Sequence, residues 1–110
     1  MIKATIMATP KILKDPLYQL LRDEKLETFN QKRAGGSECD LRNCDFRSLD
    51  LRKLNAQGLD LSGSYFRGTD LRGVDFSEAN MDGISLASAK ISGTLFPKEL
   101  SAQEIMMSVE

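Results

Sequence analysis

Four arginines, Arg47, Arg52, Arg67 and Arg72, fall on one five-residue grid, with Lys53 beside the second and Tyr65 two residues before the third. Guanidinium groups gathered this way offer planar forks of donors to a carboxylate, a phosphate or an acidic protein surface. A tyrosine among them adds an amphipathic anchor of the kind interfaces favour. The competing use of the same groups is internal, because Asp45, Asp50 and Asp70 recur on the same grid. Arg and Asp would then pair along a solvated ladder, each exposed pair contributing only about 0–1 kcal/mol.

Other chemistries have less to work with. The chain has no His, and so lacks the commonest general base and metal ligand. Cys39 and Cys44 have no further Cys or His to complete a zinc set, and no metal or cofactor is expected. They are expected to be two small buried side chains in a reduced compartment, and a disulfide would need their Cα atoms within about 7 Å. No Ser or Cys has a base to activate it. No catalytic residues are assigned, and the chain is not expected to be an enzyme.

The elements that position the arginines must come from a single domain, since the chain has 110 residues. Acidic and basic residues nearly cancel, 16 against 15, which gives no overall pull toward nucleic acid or an acidic membrane. No apolar run approaches the ~20 residues that span a bilayer. The start, residues 1–13, carries Lys3 and Lys11 and lacks the apolar core of a secretion signal. A cytoplasmic location is the expectation.

Internal repetition decides the architecture. From Cys39 to Lys98 the chain reads in fives: CDLRN, CDFRS, LDLRK, LNAQG, LDLSG, SYFRG, TDLRG, VDFSE, ANMDG, ISLAS, AKISG and TLFPK. The third position is always apolar, from Leu41 and Phe46 to Ile91 and Phe96, and the first is small or aliphatic. The second is Asp or Asn in most early repeats, and the fifth is often Gly. Neither a helical nor a strand period fits. A chain that turns a corner every five residues does, with positions one and three inward. Four corners close a square coil of 20 residues, so these twelve pentads make three coils about 15 Å tall at the usual strand spacing.

This pattern resembles the pentapeptide-repeat family, whose usual repeat is Ala-(Asp/Asn)-Leu-x-x. The resemblance implies an all-β solenoid, a right-handed quadrilateral β-helix, and a bacterial origin. Two features depart from the family: Ala holds the first position only at Ala79 and Ala89, and three coils is short. Leu49, Leu54 and Leu59 at the first position imply a tighter or locally swollen interior.

Short helices are expected to cap both ends, giving an N-terminal cap over 1–38, a repeat body over 39–98 and a C-terminal helix over 99–110. Asp15-Pro16 starts a helix, with Asp as cap and Pro in the first turn. Leu17, Leu20, Leu21, Leu26 and Phe29 recur at helical spacing as an apolar stripe, Ala34-Gly35-Gly36 ends the segment, and the whole reads as one broken or two short helices. The stripe covers the first coil or, less favoured, binds a partner helix. Ser101 to Glu104 form a capping box, and the following Ile105, Met106, Met107 and Val109 cover the last coil or meet a second copy in a homodimer. The sequence reaches Glu110 before any helix-ending signal, and one reading of that is a truncated chain.

Stacking at a 20-residue register puts Asp45, Tyr65 and Ser85 on one face with Arg47, Arg67 and Ala87. The next face then carries Asp50, Asp70 and Lys90 with Arg52, Arg72 and Ser92. The functional expectation is a non-enzymatic protein-binding or scaffolding module whose partner the sequence does not name. The alternative, from the family, is a DNA mimic that binds DNA gyrase or topoisomerase. It suits this chain less well, because residues 38–98 hold nine acids against eight bases. Nucleic-acid binding through the arginines is disfavoured, since neighbouring aspartates cancel the potential.

Overall fold

The computed structural model describes residues 14–100 and Ile105. Two helices come first, α1 over Pro16–Arg22 and α2 over Leu26–Ala34. The Asp15 carboxylate caps α1 by accepting from the backbone N–H of Leu17 at 2.8 Å and Tyr18 at 3.3 Å, with Pro16 in the first turn. Glu24, at φ 59, breaks the chain between the helices, and Gly36, at φ 99, follows the end of α2. Leu17, Tyr18, Leu21, Leu26 and Phe29 are buried in the same core as the pentads.

In the repeat body, residues 20 apart pair in parallel. Bridges join Asp45 to Tyr65 and Tyr65 to Ser85, Asp50 to Asp70 and Asp70 to Lys90, Asp60 to Asn80, and Asp75 to Leu95. Three successive tiers, 39–58, 59–78 and 79–98, thus lie in the expected register. The bridges are isolated, and the described residues contain no longer strand. The extended ladders that "all-β" implies are therefore replaced by isolated paired residues, nearly all at the second position of a pentad. The physical reason is the corner that follows at once. The third-position carbonyl accepts from the N–H of the next first position, as in Thr69 to Phe66 at 3.0 Å and Val74 to Leu71 at 3.1 Å. Such a turn leaves too few extended residues for a strand.

The fifth position is the third residue of that turn and takes a positive φ at most pentads, as a type II turn requires. Gly63 (φ 70) and Gly73 (φ 76) meet the requirement without a Cβ penalty, while Asn43, Ser48 and Ser88 meet it with φ between 56 and 63. Lys53 and Glu78 stand at the same position without a positive φ, so their corners use another turn type.

Third-position side chains fill the interior: Leu41, Phe46, Leu51, Leu61, Phe66, Leu71, Phe76, Met81 and Leu86 are at most 1% exposed. Phe46 stacks on Phe66 with ring centroids at 5.3 Å, and Tyr18 of α1 meets Phe46 edge-on at 5.6 Å. The large first-position residues Leu49, Leu54 and Leu59 are buried too. Leu54 and Leu59 flank Ala56, the smallest of the third-position set, so volume added at one position is given back at the next. Polar first-position residues are bonded internally. Ser64 donates to the Leu41 carbonyl at 2.8 Å and accepts from the Cys44 N–H at 3.0 Å, and Thr69 donates to the Phe46 carbonyl at 2.6 Å.

The helices present polar side chains to the backbone of the first tier. Tyr18 Oη donates to the Asp45 carbonyl at 2.6 Å, and Arg22 Nη1 donates to the same oxygen at 3.2 Å. Glu24 accepts from the Asp50 N–H at 2.8 Å. The Asn30 amide donates to the Lys53 carbonyl and accepts from the Asn55 N–H, both at 2.9 Å, and Arg33 donates to the Gln57 carbonyl at 3.2 Å. Backbone groups that a preceding tier would have paired are thus satisfied by side chains.

Candidate functional site

The second position of a pentad is Asp or Asn for a local reason. Its Oδ1 accepts from the backbone N–H two residues on, as in Arg47 to Asp45 at 3.0 Å, Gln57 to Asn55 at 3.1 Å and Ser77 to Asp75 at 2.9 Å. This bond fixes the entry to the corner. It also places any fourth-position arginine beside a carboxylate of its own pentad.

Three of the four grid arginines use that neighbour. Arg47 donates from Nε and Nη2 to the two oxygens of Asp45, both at 2.8 Å. Arg52 does the same to Asp50 at 2.9 and 2.7 Å, and Arg72 to Asp70 at 2.9 and 2.7 Å. Arg42, outside the predicted set, forms the same fork with Asp40. Arg52 also reaches Asp70 of the next tier at 3.4 Å, linking two rungs of the ladder. Internal pairing therefore takes up Arg47, Arg52 and Arg72, chiefly within one pentad.

The carboxylates respond to these partners. Hydrogen bonds from Arg72 hold the Asp70 carboxyl at about 2. Arg47 and Arg52 likewise hold Asp45 and Asp50 below the usual carboxylate range. The Ser77 hydroxyl does the same for Asp75. Each arginine is correspondingly raised by its Asp. Asp45 differs from the others in its surroundings: its side chain is 6% exposed, against 43% for Asp50. Arg22 of α1 lies 3.9 Å from the same carboxylate, so that group joins helix, corner and outer face.

Arg67 is the exception. Its pentad, Ser64 to Gly68, carries Tyr65 where the others carry Asp. Tyr65 is half-buried, paired through its backbone to Asp45 before it and Ser85 after it. Arg67 is exposed, and its guanidinium has no carboxylate partner among the described residues. Lys53 lies elsewhere, at a corner whose carbonyl Asn30 holds. With Arg52 it lines an open cleft of about 800 Å³ between the start of α2 and the first tier. The charges there alternate, with Glu24, Lys25, Glu27 and Asp50 facing the same space.

Ile105 is helical, half-buried and packed against the core. Met106, Met107, Val109 and the capping box lie outside the described residues. Cys39 and Cys44 are both free thiols, and burial pushes the Cys39 thiol up to about 11. Among the described residues no cluster of ligand-type side chains gathers for a metal, and no helix is long and apolar enough to cross a membrane.

Sequence reasoning missed the polar side chains of the helices that meet the first tier, Tyr18, Arg22, Glu24, Asn30 and Arg33. Reading that segment for its apolar stripe conceals them, and no spacing rule marks a side chain that bonds to distant backbone.

No curated protein and no solved structure matches the chain. The family model described as pentapeptide repeats (8 copies) matches residues 37–68 and 64–96. Those spans enclose the buried third positions, the grid of arginines and all but the last two residues of the tiers. With more than half of its residues inside that match, the chain belongs to the pentapeptide-repeat family.

Proposed function

We propose that this protein is a non-enzymatic binding or scaffolding module, a right-handed quadrilateral β-helix of three tiers that displays fixed outer faces to a protein partner. Parallel bridging at a 20-residue register supports the β-helical reading. The observation that carries the function is the bond from the second position to the N–H of the fourth, repeated from Arg42 to Asp82. It orders the outward backbone and many outward side chains before any partner arrives. A surface ordered in advance loses less entropy on binding. Two free cysteines fit a reducing, cytoplasmic setting. Ile105 packs against the core, which supports a covering role for that residue over one reserved for a second copy.

The test is capture from a lysate of the source organism, read by mass spectrometry. It compares wild type with a variant carrying Arg47, Arg52, Arg67 and Arg72 all changed to Glu, after circular dichroism shows that the variant is folded. The proposal expects a partner held by wild type and lost by the variant. Equal retention by both would remove the arginine faces from the binding surface.

A further inference from the structure

We propose that Arg67, with Tyr65 beside it, is the docking point for one carboxylate side chain presented by a partner protein. The inference rests on the binding-module reading and narrows it to a single position. Four Asp-x-Arg pentads show what an arginine at the fourth position does when a carboxylate is near: its fork closes on both oxygens at 2.7 to 3.1 Å. In the fifth arginine pentad Tyr65 removes that carboxylate and leaves the fork exposed. The neighbouring tiers do not replace it. Asp45 is already engaged by Arg47 and Arg22. Ser85 and Ala87, the matching positions of the next tier, bring no charge and little bulk.

Charge selects the ligand class. Arg47 and Arg72 are each neutralised within their own pentads, so among the described residues the site offers one uncompensated positive charge. One carboxylate balances it, and the planar fork matches its two oxygens. A phosphate of charge near −2 would remain half compensated. Tyr65 sits where the missing Asp would stand and supplies an aromatic edge to the incoming chain.

The test follows the arginine Nε–Hε signals of ¹⁵N-labelled protein. The probes are the capped peptide acetyl-Ala-Glu-Ala-amide, its Gln counterpart and inorganic phosphate. The Glu peptide is expected to shift Arg67 at least about threefold more than Arg47, Arg52 or Arg72, whose own aspartates compete with it. The Gln peptide should leave Arg67 in place. Tyr65→Asp restores the in-pentad carboxylate, so, once circular dichroism shows the variant folded, it should abolish the Arg67 shift. Equal shifts at all four arginines, a shift that survives Tyr65→Asp, or tighter binding of phosphate would each overturn the inference. Lysate capture separates the two levels of the reading. If Tyr65→Asp keeps a partner that the four-Glu variant loses, the module stands and this docking point falls. If both variants keep it, this docking point falls and the module binds through another face.

Discussion

Replacing Asp45 and Asp50 in turn by Asn isolates the energy of the Asp–Arg fork. The two carboxylates make the same three bonds: from the backbone N–H two residues on at 3.0 and 3.1 Å, from Nε at 2.8 and 2.9 Å, and from Nη2 at 2.8 and 2.7 Å. What differs is solvent, with side-chain exposures of 6% and 43%. Asn keeps the backbone bond, as Asn55 and Asn80 already do at 3.1 and 3.0 Å. The substitution therefore removes mainly the charge. At Asp50 the loss is that of an exposed pair, about 0–1 kcal/mol. At Asp45 the bonds are shielded and Arg22 loses a neighbour too, so the expected cost is about 1.5–3 kcal/mol. A difference of about 1 kcal/mol displaces the thermal midpoint of a domain this size by roughly 4–8 °C. Thermal and urea unfolding of both variants, with Arg47→Met in a double-mutant cycle, would measure it. Equal costs at the two sites would refute the claim that burial sets the worth of the fork.

Acid should weaken the fold by the same pairs. The folded pKa values of Asp45, Asp50 and Asp70 lie below the unfolded value near 3.9. Their contribution is full above about pH 5 and drains as pH falls toward the Asp70 value of about 2. Thermal midpoints between pH 7 and pH 2 should fall only below about pH 5, and less steeply in Asp45→Asn; a flat profile would contradict this. Gly73→Ala should cost about 1–2 kcal/mol from φ alone, because its Cβ would meet open space. Gly63→Ala should cost about the same, because the atoms its Cβ would crowd belong to the exposed Asn43 side chain, which can swing aside; a clearly lower denaturation midpoint than that of Gly73→Ala would contradict this. Tyr18→Phe should cost about 0.5–1.5 kcal/mol, since it deletes a buried 2.6 Å bond while Arg22 still donates to the same carbonyl. No change in urea midpoint would deny that the helix is anchored there.

The core and the face map were legible because apolar third positions and a 20-residue register follow from counting alone. Asp45, Tyr65 and Ser85 pair as that count requires, and so do Asp50, Asp70 and Lys90. Two short helices with a break between them were legible from Asp15-Pro16 and the Leu stripe, but the position of the break at Glu24 was not. A positive φ at a non-glycine residue leaves no compositional mark. The division of the arginines into held and free was half legible. Aspartates near them were evident, yet that a fourth-position fork closes on the second position of its own pentad depends on corner geometry, which only the structure supplies. For the same reason Tyr65 read as one member of an arginine patch, when its main effect is the absence of an Asp.

The central claim is that the arginine faces form a self-neutralised ladder open at one rung. Its most direct measurement is ¹⁵N relaxation at the arginine Nε atoms of the free protein. The account predicts restricted guanidinium motion at Arg47, Arg52 and Arg72 and free motion at Arg67. Four arginines of equal mobility, whether all held or all free, would contradict it.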